Sequence, residues 1–170
     1  MKTLVALLSL LTGLLLAGCT TPARQTGVTP ADVTVDFQNP DDFRDARDSL
    51  GGSTDQNALA ALRAFLQEKA PAKLQAGQKL RVLFTDIDLA GDFPASGGGR
   101  YDRVRVIRSV FIPRQEFTFT VTDSSGQVVK EGKRTLTDLN FQASGLRIGS
   151  DQPYFYDKVL LEDWLRKEFP

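Results

Sequence analysis

Three aspartates in one short stretch, Asp86, Asp88 and Asp92, make the densest cluster of chemically useful groups in the chain. In an extended segment Asp86 and Asp88 share a face about 7 Å apart, and a loop folding back would bring Asp92 to them. Three such carboxylates could ligate a hard cation such as calcium, although the spacing differs from that of an EF-hand loop, and the residue types alone leave the metal open. Carboxylate pairs near this separation also occur in glycosidases, where one acid must be held in an apolar pocket. Arg100, Arg103, Arg105 and Arg108 follow, so Arg103 and Arg105 are candidates for holding an anionic ligand. The plainest reading is ion pairing between neighbouring strands, worth about 0.2–1 kcal/mol per pair.

Other chemistries have less material. Histidine is absent from the chain, which removes the commonest general base and the commonest zinc ligand. Ser96, Ser109, Ser124, Ser125 and Ser144 have no histidine to activate them and no G-x-S-x-G context. The triple glycine at 97–99 is followed by neither GK[ST] nor a helix signal, so it reads as a hairpin loop rather than a phosphate cradle. Tyr154, Phe155, Tyr156 and Trp164 are candidates for an aromatic platform, but their helical spacing reads as core. No catalytic residue is assigned, a non-catalytic role is favoured over an enzymatic one, and no cofactor is expected.

The elements that must position these groups can be read from periodicity. Residues 79–93 have strand-forming composition with apolar residues at both parities, which places them inside a sheet with cover on both faces. The apolar even face, Leu80, Val82 and Phe84, gives way to Asp86 and Asp88, while Ile87 and Leu89 stay apolar. Either cover ends near Thr85, or a bulge exchanges the faces there. Val33-Thr34-Val35-Asp36-Phe37 alternates as a half-buried first strand, and Asn39-Pro40 ends it. Thr54 or Asp55 caps a helix whose Leu59, Leu62, Phe65 and Leu66 share a face, and Pro71 closes it. Residues 103–108 alternate as a further strand. Residues 116–122 direct Phe117, Phe119 and Val121 inward, and Asp123-Ser124-Ser125-Gly126 turns the chain into a charged edge strand over 127–136. Pro153 fits the first turn of a helix running to Glu168. The expected fold is an α+β two-layer sandwich, with a mostly antiparallel sheet of about five strands and two main helices.

The amino terminus has a different character. Lys2 precedes an apolar run over residues 4–16, the n-region and h-region of a secretory signal, too short to span a bilayer as a mature helix. Leu16-Ala17-Gly18-Cys19 resembles the lipobox of bacterial lipoproteins, in which the signal is cut before the cysteine and the thiol carries lipid. Cys19 is the only cysteine of the chain, so it has no internal disulfide partner. One acyl chain binds membranes only marginally; the diacylglycerol and amide-linked palmitate-type chain that the resemblance implies give a stable anchor. Thr20 in place of Asp after the cysteine implies sorting to the outer membrane, facing the periplasm. Residues 20–30 are small, polar and proline-interrupted, a tether with a reach of about 35 Å. The expected organisation is a signal peptide over 1–18, a lipidated Cys19 and flexible tether over 19–30, and one α+β domain over 31–170.

Composition bounds the partners. Of 170 residues, 41% are hydrophobic and 25% charged, as in an ordinary globular domain. Lys plus Arg and Asp plus Glu each number 21, so no net field draws the chain to nucleic acid, and none is expected as a partner. The expected partners are the membrane, through the anchor on Cys19, and another protein of the envelope. Val33-Thr34-Val35-Asp36-Phe37, the stretch from Thr85 to Phe93, Gly126 to Asp138, and Leu161-Glu162-Asp163-Trp164 with Glu168-Phe169 together resemble an uncharacterised family of bacterial exported proteins, the domain of unknown function 3016. That resemblance implies an exported bacterial protein and transfers no activity. The chain is therefore expected to be an envelope lipoprotein with a binding or accessory domain. The alternative is a ligand-binding, metal-binding or catalytic domain using Asp86, Asp88, Asp92 and the nearby arginines.

Overall fold

A computed structural model describes residues 31–48, 53–93, 104–146 and 151–170. Cys19, Arg100 and Arg103, with the signal, tether and triple-glycine readings, lie outside the described residues.

Strand β1 (Asp32–Phe37) is followed by helix α1 (Gln56–Lys69), strands β2 (Lys79–Asp88), β3 (Arg114–Thr122) and β4 (Val128–Thr137), and helix α2 (Phe155–Glu168). Among the described residues the strands form one sheet in the order β1-β2-β3-β4. β1 runs parallel to β2, because α1 carries the chain back across the sheet between them, and β2, β3 and β4 are antiparallel. The sheet is therefore mixed, with four strands rather than about five. Residues 104–108 do not form the expected strand; Val106 makes a single bridge with Asp92. The physical reason is Arg105, whose guanidinium turns inward onto loop carbonyls and Asp45, while a turn from Arg108 to Phe111 ends the extended path.

Both helices cover one face. In register, Val33, Leu80 and Val121, then Val35, Val82 and Phe119, then Phe37, Phe84 and Phe117, face the same layer. Leu59, Leu62 and Leu66 of α1 and Leu161, Trp164 and Leu165 of α2 close over them. Phe84 packs on Phe117, and Trp164 meets both Phe117 and Phe119 edge-on with ring centroids 4.7 and 5.4 Å apart; Trp164 is thus core and not part of a binding platform. Apolar residues at both parities of β2 arise from a bulge between Phe84 and Asp86, and not from cover on both faces. The inserted residue returns Ile87 to the core side and leaves Arg81, Asp86 and Asp88 opposite, on the open face.

The local chemistry of the ends follows the sequence closely. Asp55 caps α1, its Oδ1 accepting from the N–H groups of Asn57 and Ala58 at 3.0 and 3.2 Å. At the sheet edge, Arg63 and Gln67 of α1 donate to the carbonyls of Val35 and Val33, satisfying groups that an edge strand otherwise exposes. Asp123 Oδ1 accepts from the N–H groups of Ser125 and Gln127, closing the β3–β4 turn with Gly126 at φ +87°. α2 starts two residues after Pro153, because Tyr154 takes a left-handed conformation at its N-cap.

Candidate functional site

Of the aspartates singled out above, Asp86 and Asp88 share the open face as expected, while Asp92 does not join them. Asp86 lies on the open face, where its Oδ1 accepts the Arg44 N–H at 2.9 Å and its Oδ2 lies 3.5 Å from Arg114 and 3.8 Å from Arg44. Arg114 also pairs with Glu116, and Lys133 approaches Glu116 at 3.6 Å. The open face is thus a ladder of ion pairs, with partners other than the 100–108 arginines. Asp88 stands opposite Arg114 in register; burial, then the nearby Asp45 carboxylate, raises its pKa, with Arg44 opposing. Asp92 is elsewhere: its Oδ1 accepts from the Phe93 N–H at 2.7 Å and its backbone is bridged to Val106. Among the described residues no three acidic or thiol side chains gather closely enough to hold a metal ion.

Arg105 has a structural task. Its guanidinium grips Asp45 through two bonds of 2.8 and 3.3 Å, donates to the Gly91 carbonyl at 2.7 Å and lies over the Phe93 ring. The bend it clamps needs Gly91, since at φ +78° a Cβ there would stand 2.6 Å from the Val106 carbonyl oxygen.

Behind that clamp is a cavity of about 650 Å³, bounded by the loop at 90–93, residues 104–107 and the N-terminal ends of α1 and α2. Its size suits a small organic ligand. Its walls include Phe93, Ile107, Tyr154, Phe155 and Tyr156, with Asp48, Asp55, Asp151, Asp157 and Arg105 as charged groups. The two helix ends are tied across it: the Tyr154 hydroxyl donates to Asp55 Oδ2 at 2.7 Å. Burial, and then that carboxylate, raise the Tyr154 pKa, so the phenol stays protonated.

Asp157 is the unusual group. It sits in the first turn of α2 with 2% of its surface exposed, its Oδ1 accepting the Ala90 N–H at 3.1 Å. The buried Gln115 of β3 donates to its main-chain carbonyl at 3.0 Å, and among the described residues Gln115 Oε1 has no hydrogen-bond partner. Burial pushes the Asp157 carboxyl up to about 7, against the lowering effects of the Ala90 N–H and Arg105. A buried carboxyl titrating near neutrality in a cavity wall can hold a proton or meet a cation.

The model of the family described as "Protein of unknown function (DUF3016)" matches residues 31–167. The chain belongs to this family. No curated protein matches it. Among solved structures, the 2.35 Å crystal structure of a minor lipoprotein from Acinetobacter baumannii is similar over 84% of this chain and 91% of that one, at 9% identity and a TM-score of 0.27, a level that carries neither fold nor role across. Two of the stretches that carry the DUF3016 resemblance meet in space: β4 and the end of α2 join where Glu168 pairs with Lys130 and Arg134 at 2.9 and 2.7 Å. In this DUF3016 domain Asp157, Gln115 and Asp45 are the groups that the motif reading passed over, while Tyr154, weighed there for its ring, acts through its hydroxyl on Asp55. Asp157 was detectable as a carboxylate at i on the apolar stripe Leu160, Leu161 and Trp164 at i+3, i+4 and i+7. Gln115 shares the inward parity of Phe117, Phe119 and Val121.

Proposed function

We propose that this chain is a lipoprotein of the bacterial envelope, cut before Cys19 and anchored through lipid on that residue, whose domain binds another envelope component. The observation that carries the anchor is Leu16-Ala17-Gly18-Cys19 directly after an apolar run. Thr20 favours the outer membrane, with the domain facing the periplasm. Among the described residues no helix is long and apolar enough to cross a membrane, so in this reading the lipid is what holds the domain there. The binding or accessory role is supported by how the charged clusters are used. Asp86, Glu116, Arg114 and Arg105 are engaged in ion pairs that brace the sheet and its loop, and of these four Arg105 alone lines the large cavity.

Labelled palmitate tests the anchor. Wild type should incorporate the label and fractionate with membranes, and Cys19→Ala should do neither while its domain stays folded. A wild-type protein without label, or a processed Cys19→Ala variant still in the outer-membrane fraction, would overturn the lipobox assignment.

A further inference from the structure

We propose that β4 is the seam of a homodimer, its outer edge pairing antiparallel with β4 of a second copy to make one continuous sheet across both. The inference rests on the sheet and goes beyond both the anchor and the binding role above.

The two edges of the sheet are finished differently. On β1 the carbonyls of Val35 and Val33 accept from Arg63 and Gln67 at 3.1 and 3.3 Å, so α1 closes that side. β4 stands at the other end of the sheet and runs from Val128 to Thr137. Among the described residues the one side chain that bonds its main chain is its own Arg134, at the Lys133 carbonyl. An edge of this kind offers a row of main-chain donors and acceptors to another strand. Pairing also covers Val128 and Val129, which are 55% and 51% exposed.

Charge names the neighbour and the register. Two copies of a sheet join edge to edge about a two-fold axis perpendicular to it, which keeps each face on its own side and sets one residue of β4 opposite itself. With Lys130, Glu131, Lys133 or Arg134 in that place, a charge meets its like, which disfavours the pair. With Gly132 there, the strands overlap over residues 128–136, and Glu131 of each copy stands opposite Lys133 of the other. Both lie on the open face, since they oppose Thr120 and Thr118 of β3. On the other face Lys130 meets Arg134, and both are already held by Glu168 of their own chain, at 2.9 and 2.7 Å. The charges of β4 thus reject neighbouring registers and match in this one.

Disulfide trapping tests the register in the full acylated protein, in non-ionic detergent with micelles in excess over chains. Directly opposed residues have Cα atoms about 4.5–5.5 Å apart, within disulfide reach, whereas diagonal neighbours at about 7–8 Å are beyond it. A mixture of Glu131→Cys and Lys133→Cys proteins should therefore give about five-fold more oxidised dimer than either variant alone. Wild type, whose Cys19 sulfur carries lipid in the anchored form, is the blank. Charge exchange gives a second readout by sedimentation: Glu131→Lys alone and Lys133→Glu alone should each lower the dimer fraction several-fold, and mixing the two should restore it. Near-UV circular dichroism establishes that each variant is folded. Equal trapping in the mixture and the single variants, a wild type that stays monomeric at high micromolar concentration, or folded charge variants whose mixture restores nothing would each overturn the proposal. A dimer that forms only after residues 20–28 are exchanged for a Gly/Ser run would overturn it in favour of the chain's own tether as the strand on β4. Oxidised dimer from wild type would show a free Cys19 and remove the anchor alone, because the charge exchange needs no thiol and still decides the seam.

Discussion

The two ends of α2 hold one carboxyl each in opposite circumstances. At the C-terminal end Glu168 accepts from Arg134 and Lys130, whose charges lie over the Phe119 and Phe169 rings respectively. The hydrogen bond from Arg134 is the main cause holding its pKa below the usual value of 4.5. At the N-terminal end Asp157 accepts the main-chain N–H of Ala90, and burial holds its pKa well above 3.8. The helix dipole favours the reverse at both ends, an ionised acid at the start and a cation at the finish, but it is worth only about 0.3–1 kcal/mol. A shift from 3.8 to about 7 corresponds to roughly 4 kcal/mol at about 1.36 per pKa unit, so burial wins. The lesson is that Glu168 is accounted for by the fold it stabilises. Asp157 costs the fold stability in its ionised form, because burial opposes its charge.

The largest expected effect lies at Asp157. Its raised pKa stabilises the fold fully below the unfolded value of 3.8, and this contribution is lost as pH rises to about 7. Asp157→Asn should therefore be near neutral at pH 4 and stabilising at pH 8 relative to wild type, with a swing of up to about 4 kcal/mol; urea melts across that range measure it, and a flat difference would remove the contrast. Glu168 has the opposite sign. Its lowered pKa gives stability present above 4.5 and lost on acidification. Glu168→Gln should cost about 1–2 kcal/mol at neutral pH, discounted for the partial exposure of Lys130 and Arg134, and almost nothing at pH 3; thermal melts at both values would show it. Arg44→Ala should be the mildest. It removes an exposed pair 3.8 Å long and should shift stability by less than about 0.5 kcal/mol, an effect that salt reduces further.

Much of the fold was legible because it rests on local signals. The alternation of Phe117, Phe119 and Val121, the Asp55 cap, the Gly126 turn and the phase change at Thr85 all have short-range causes, and each appears where its residues demand. The strand expected at 103–108 failed because its alternation was outweighed by a long-range event, the capture of Arg105 by Asp45 sixty residues away. The parallel β1–β2 pairing follows from the helix between the two strands, which permits a parallel crossover. The candidate site was least legible. Asp86, Asp88 and Asp92 were conspicuous as a cluster, and Asp86 and Asp88 do share the open face, but Asp92 is held by the Phe93 N–H and the bridge to Val106. Asp157 was hidden within a helix and gains its character from Ala90, Gln115 and Arg105, residues that only the tertiary fold brings to it.

Helix α2 carries one carboxyl kept ionised by two cations and one whose ionisation burial opposes. Carboxyl-carbon NMR titration of the full protein, with Asp157 and Glu168 assigned by their Asn and Gln variants, tests it most directly. Asp157 should titrate near 7, while Glu168 should titrate below 4.5. An Asp157 midpoint at or below 4 would contradict the account.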